Sequence, residues 1–262
     1  MKTFTSIKWA PLLGLFFLGI VGCDDENLEA STSSNLSEPF PSDVLQLEHK
    51  LELLKFHSFS LNPSEDVSDN YAPRAQTAQD PYEMYFYDET ADQPAPGWVN
   101  ADGNTWYVRR PGFSLSNYYY GSNGTTVWNS VPTFTDSQVE ALLIPTTTGV
   151  AGDVLGRISS DYQSYYMAEL GNGSLSLWKK TASGFSLLDS KPVTYYTYQH
   201  YFLVLQMIGP NIYAILADIY GYMIDYVDAT DTSLSYGKTG LRAVGSPSWV
   251  YYIAAAGSGG AD

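Results

Sequence analysis

Tyr201-Phe202-Leu203-Val204-Leu205-Gln206-Met207-Ile208-Gly209-Pro210-Asn211-Ile212-Tyr213-Ala214-Ile215-Leu216-Ala217 decides the fold class. Two apolar runs, 201–208 and 212–217, flank Gly209-Pro210-Asn211, an interval too short for a helical connection and suited to a hairpin turn. Both runs are apolar on both faces, which places them in the middle of a sheet covered by a second layer. The same texture continues upstream, where strands are expected at Met84 to Tyr87, Trp106 to Val108, Thr125 to Asn129, Gln138 to Ile144, Val154 to Ile158, Gln163 to Leu170 and Ser174 to Lys179. Downstream it gives Met223 to Val227, Thr239 to Ala243 and Trp249 to Ala254. Gly171-Asn172-Gly173 marks a second hairpin. No repeat of fixed period points to a propeller or solenoid. Residues 82–256 therefore read as one all-β domain, a sandwich or a barrel, with 257–262 as a flexible tail.

Composition agrees and narrows the chemistry. The 262 residues carry 13 Lys+Arg against 28 Asp+Glu, a formal net charge of -15, and include 22 Tyr. A phosphate backbone must be met by clustered cations that this chain lacks, so no nucleic acid partner is expected. The single Cys excludes an internal disulfide and any multi-cysteine zinc site, and three His leave little room for imidazole chemistry.

The N-terminus reads as an export signal. Lys2 and Lys8 precede an apolar run from Trp9 to Ile20, too short to span a bilayer, which needs roughly 20 apolar residues. It ends in Ile20-Val21-Gly22-Cys23, which resembles the lipobox of bacterial lipoproteins. That resemblance implies cleavage after residue 22, a lipid anchor on Cys23 and a place in the bacterial cell envelope, at the outer membrane or cell surface. Asp24-Asp25-Glu26 resembles both an inner-membrane retention signal and a surface-export signal, and the choice stays open. Residues 23–41 form a flexible tether, poor in large apolar groups. Within 42–81, Val44, Leu47, Leu51 and Leu54 recur at helical spacing behind Ser42-Asp43, giving a short helix and then a Pro-interrupted linker. The helix either folds back on the domain or makes an oligomer through residues 42–56.

The order of features in the β region carries a second resemblance: Phe86-Tyr87-Asp88, Pro96-Gly97-Trp98, the run Val139 to Ile144, Gly156-Arg157, Tyr165-Tyr166, Gly173 to Lys180, Leu187-Leu188, Tyr201 to Leu205, Ile212 and Gly237 to Leu241. The succession resembles the concanavalin A-like jelly rolls, especially their laminin G-like and carbohydrate-binding members. It implies a two-sheet antiparallel jelly-roll sandwich over residues 82–256, with ligands on one sheet face or at the rim loops. Several relatives hold a structural calcium, for which Asp88, Glu89 and Asp92 are the candidate carboxylates here. The closing strand, Trp249-Val250-Tyr251-Tyr252, lacks the acid usual in that pattern. Asp228 to Thr232 is a second oxygen-rich loop, read as a solvated turn.

Catalytic signatures are missing. The domain's one His, His200, has no partner pattern; no nucleophile elbow or phosphate loop is visible. Jelly-roll glucanases place acid and nucleophile on one strand as Glu-x-Asp-x-x-Glu, whereas Glu140, Glu169, Asp218 and Asp225 have no such neighbour. Aromatic residues are the informative surplus, because sugar C–H patches stack on ring faces while hydroxyls need polar partners. In Ser174-Leu175-Ser176-Leu177-Trp178, alternation sends both Leu to the core and Trp178 to the opposite face. Arg157 and Tyr165 or Tyr166 are the expected flanking groups. Trp98 and Trp106 read as core, and Tyr118 to Tyr120 and Tyr195 to Tyr198 as rim loops. The first expectation is a noncatalytic, lectin-like carbohydrate-binding domain on a lipoprotein. The rivals are a glycan-active hydrolase or lyase using dispersed carboxylates, and a protein-interaction or assembly module.

Overall fold

The computed structural model describes residues 81–90, 93–102 and 105–259. The signal peptide, Cys23, the tether, the 42–56 helix, all of the linker but Pro81, Asp92 and residues 260–262 lie outside the described residues.

The described strands are β1 (Tyr82–Tyr85), β2 (Trp98–Asn100), β3 (Trp106–Arg109), β4 (Tyr118–Gly121) and β5 (Gly124–Trp128). They continue with β6 (Phe134–Leu143), β7 (Gly152–Ile158), β8 (Tyr165–Gly171), β9 (Ser174–Thr181) and β10 (Gly184–Pro192). The last are β11 (Tyr201–Ile208), β12 (Asn211–Asp218), β13 (Met223–Thr230), β14 (Lys238–Ala243) and β15 (Ser248–Gly259). They form two antiparallel sheets packed as a jelly-roll sandwich. One is eight-stranded, in the order β13-β12-β11-β6-β15-β4-β3 with β1 also paired to β15; the other is seven-stranded, in the order β10-β9-β8-β7-β14-β5-β2.

The deciding stretch behaves as its pattern dictates. Gly209 (φ 55°) and Pro210 form a two-residue turn that sets Ile208 opposite Asn211, and β11 and β12 lie inside the eight-stranded sheet. Leu203, Leu205, Met207, Ile212, Ala214 and Leu216 from these strands meet Leu170, Leu175 and Leu177 in the inter-sheet core. Each large apolar side chain removed from water there contributes about 1.5–3 kcal/mol. Trp98 and Trp106 are both core, as expected, and Trp98 stacks on Trp128 with centroids 5.4 Å apart. Gly121 is required beside Trp106, because a Cβ there would enter the indole ring.

Two expectations need correction. Tyr118 to Tyr120 are not rim loop: they form β4, with Tyr118 and Tyr119 buried, because β3 and β15 pair with them on either side. The domain also does not end at Ala256. Gly257 pairs with Ser137 and Gly259 with Phe134, while Thr135 Oγ1 donates to the carbonyls of Ser258 and Gly259. Small residues are needed there, since a Cβ on Gly257 would strike Asp136 backbone and the Phe134 ring.

Candidate ligand-binding face

The β8–β9 hairpin builds the site. Asn172 (φ 52°) and Gly173 (φ 74°) turn the chain so that Gly171 faces Ser174. That register sets Tyr165 beside Lys180, Met167 beside Trp178 and Glu169 beside Ser176. β10 then adds Phe185 next to Lys180 and Leu187 next to Trp178. On the other side, β7 brings Leu155 to Met167 and Asp153 to Glu169, and β14 brings Arg242 to Asp153. All of these point away from the inter-sheet core, on the outer face of the seven-stranded sheet.

The floor of this face is Leu155, Met167 and Tyr165, buried together with Val127 and Ile158, and half-buried Trp178 and Tyr162 pack against it. Phe185 (44% exposed) and Leu187 (51%) stand open beside it. Lys180 Nζ lies 5.5 Å from the Tyr165 centroid, and the Arg242 guanidinium carbon 4.7 Å from that of Phe185. These are cation–π distances that orient both cations over rings.

A charged row borders the aromatic floor. Arg242 Nη1 donates to Asp153 Oδ2 at 3.0 Å, and the Asp153 side chain is 0% exposed. Burial, then the charge of Glu169, push the Asp153 carboxyl well up, and Arg242 opposes both. Glu169 is half-buried; burial raises its pKa, while the Trp178 indole N–H and Arg242 pull it down. Trp178 Nε1 and Asp153 Oδ1 are buried and meet no hydrogen-bond partner among the described residues. Unpaired buried polar atoms are uncommon and costly.

Of the residues singled out in the sequence, Trp178 and Tyr165 share this face, although Tyr165 is wholly buried in its floor. Arg157 and Tyr166 are elsewhere. Arg157 takes a positive φ (49°) where the β7–β14 register slips, and this bulge turns its side chain off the face that alternation assigns to it. Its Nε donates to Thr135 O at 2.9 Å, Nη1 to Leu234 O at 3.0 Å and Nη2 to Gly209 O at 2.8 Å, and it is 3% exposed. Arg157 is thus a clamp joining three chain segments. Tyr166 points into the core and donates its hydroxyl to Asp231 Oδ1 at 2.6 Å.

Asp231 also accepts from Lys179 and Ser233. Burial alone would raise its carboxyl, but these bonds hold it well below the ordinary range. The stretch read as a solvated turn is therefore not one: Asp228 to Thr230 close β13 in register with β12, and Asp231 just beyond them is a bonded anchor. Asp88 and Glu89 are exposed, Asp92 is outside the described residues, and no three His, Cys, Asp or Glu side chains converge for a metal among the described residues. His200 lies 3.1 Å from Tyr118 Oη beside Tyr251, and burial lowers its pKa to about 4.

Glu169, Asp153, Arg242 and Phe185 were not singled out from the sequence as part of a site. Glu169 and Phe185 were accessible to hairpin register counted from Asn172-Gly173 and from β9; Asp153 and Arg242 required long-range pairing.

No protein-family profile and no curated protein matches the chain. Among solved structures it is similar to the carbohydrate-binding module CBM66 of Bacillus subtilis, at 16% identity and a TM-score of 0.45, covering 62% of this chain and 92% of that one. It is similar to a protein of unknown function from Shewanella oneidensis at 11% identity and 0.46, covering 66% and 84%. It is also similar to galectin LEC-6 of Caenorhabditis elegans at 15% identity and 0.39, covering 55% and 99%.

Proposed function

We propose that this chain is a lipid-anchored bacterial cell-envelope protein whose β-sandwich binds carbohydrate without cleaving it, on the outer face of the seven-stranded sheet. The observation that carries the reading is the row Leu187–Trp178–Met167 set beside Glu169 and Arg242. Rings and aliphatic groups there offer a stacking surface, and an acceptor and a donor lie within one strand spacing of it. The test is a glycan-array screen of the full chain with and without calcium, repeated for Trp178→Ala and Glu169→Gln, with thermal unfolding as the control. Saturable binding that falls at least tenfold in a folded Trp178→Ala variant supports the reading. Absence of binding by folded protein would move the assignment to a protein-interaction module.

Hydrolysis is the second reading, favoured by the adjacent carboxylates Asp153 and Glu169. Asp153 is sealed from solvent and committed to Arg242, which leaves one carboxylate able to reach a sugar where acid–base cleavage needs two. Product release from any bound glycan would reverse that preference. Anchoring rests on Ile20-Val21-Gly22-Cys23; Cys23→Ala is expected to move the protein from the membrane to the soluble fraction, and continued membrane association would remove the anchor from the proposal. No helix among the described residues is long and apolar enough to cross a membrane.

A further inference from the structure

The other outer face of the sandwich holds an exposed arginine, Arg109, with no counter-ion among the described residues. On the eight-stranded sheet, Tyr107, Tyr120 and Trp249 form a row across β3, β4 and β15. Arg109 lies over that row, its guanidinium carbon 5.1 Å from the Tyr120 centroid, 5.5 Å from Trp249 and 5.9 Å from Tyr107. Its Nη1 donates to Tyr107 Oη at 3.2 Å. Arg109 and the adjacent Arg110 are exposed, and Tyr107 and Tyr120 are half-exposed beside them.

The other described cations each have a partner within the protein. Arg157, Lys179, Lys191 and Arg242 pair with carboxylates, and Lys180 and Lys238 donate to backbone carbonyls. Among the described residues, only Arg109 and Arg110 have side chains bound to neither, and exposed Asp88 and Glu89 on the adjoining loop form no ion pair with them. In a chain of net charge -15 an unneutralised arginine of this kind stands out.

A guanidinium stacked by its face on aromatic rings keeps its edge N–H groups free and loses little side-chain freedom on meeting a ligand. Edge donors in a fixed fork match a carboxylate, and flanking Tyr faces match sugar C–H patches. We propose that this surface is a second ligand site, specific for a carboxylate-bearing sugar, such as a uronate, within a mostly neutral glycan. The charge balance selects an isolated acid over a polyanion or an anionic lipid surface. At physiological salt, charges interact over about 8 Å, so the Arg109 fork answers one carboxylate, while an extended anionic array would also meet the protein's acidic excess.

The test is calorimetric titration of the full chain, in mild detergent, with a xylo-oligosaccharide bearing one glucuronate and with its carboxyl-reduced form. The expected result is at least tenfold tighter binding of the acid form. Arg109→Gln should abolish that preference with thermal unfolding unchanged, and Arg109→Lys should restore only a small part of it, because charge returns without the fork. Trp178→Ala should leave the preference intact, which separates this site from the one on the seven-stranded sheet. Equal affinity for the two forms, no binding of either, or a preference insensitive to Arg109→Gln would overturn the proposal. So would an Arg109-dependent association with phosphatidylglycerol vesicles that exceeds binding of the acidic sugar, since that assigns Arg109 to a lipid surface.

Discussion

Arg157 and Arg242 sit in neighbouring strands of one sheet, and the difference between their surroundings separates scaffold from site. Arg157 is enclosed, with donors directed at carbonyls from three segments distant in sequence. Arg242 is 17% exposed at its side chain, makes one ion pair with Asp153 and leans over Phe185. The first has few donors left to offer a ligand, whereas the second retains donors beside an open ring and an accessible carboxylate. What a buried arginine is for depends on how many of its donors the backbone has already taken.

The largest effect should come from Arg157→Ala. Removing the clamp leaves the Thr135, Gly209 and Leu234 carbonyls without this donor, and we expect a loss of about 3–5 kcal/mol in denaturant unfolding. Arg157→Lys should recover less than half, because one ammonium cannot reach three diverging carbonyls. Glycan affinity of the folded fraction should not change. A drop in affinity comparable to that of Trp178→Ala would dissolve the distinction drawn between the two arginines.

Arg242→Gln ranks next, at about 2–4 kcal/mol at neutral pH, because it strands a buried carboxylate. Its sign with pH is diagnostic. Asp153 and Glu169 already have raised pKa values, and losing Arg242 raises them further. The penalty relative to wild type should be full where both groups are ionised in the native state and shrink as pH falls through their raised native pKa values, below which wild type and variant hold the same protons. Adding Asp153→Asn should return much of the stability, and a double variant no better than the single would mean that the pair is not coupled.

The eight-stranded sheet offers a related case without a cation. Glu140 is buried near Gln138 and Tyr252, and burial raises its pKa from 4.5 to about 8. The native state thus holds this proton more tightly than the unfolded chain, so stability falls as pH rises from about 4.5 and the loss is complete above about 8. Glu140→Gln should be neutral near pH 4 and stabilising by about 1–3 kcal/mol at pH 9. A flat difference across that range would show Glu140 ionised or solvated in the native state.

How much of this could be read from sequence depended on the range of the interaction. Hairpin turns and alternation placed β8, β9, β11 and β12 and put Trp178 on an outer face, since those depend on neighbours within about ten residues. Arg157 went astray because alternation presumes an unbroken strand, and its positive φ breaks it. Tyr118 to Tyr120 looked like loop because their partners, Arg109 to Tyr107 and Val250 to Trp249, are non-local or lie in short strands with weak patterns of their own. Asp153 beside Glu169 is a juxtaposition of the same kind: one spans β7 to β8, but the cation that gives it meaning arrives from β14.

The smallest expected effect tests whether the core side of β8 is as fixed as its outer side is open. Tyr166 donates to Asp231, which Lys179 also binds, and the Asp231 carboxyl lies well below its ordinary range. Tyr166→Phe removes the hydrogen bond to the Asp231 carboxylate and the acceptor of the Leu234 N–H, and should cost about 2 kcal/mol at pH 7. A depressed native pKa means that the carboxylate's contribution is present above the unfolded value and is lost as pH falls through the native one. The Tyr166→Phe deficit should therefore narrow in acid, opposite in sign to Glu140→Gln, whose gain appears only in base. If the two variants drifted in the same direction with pH, one of these carboxylates would have been placed in the wrong electrostatic setting.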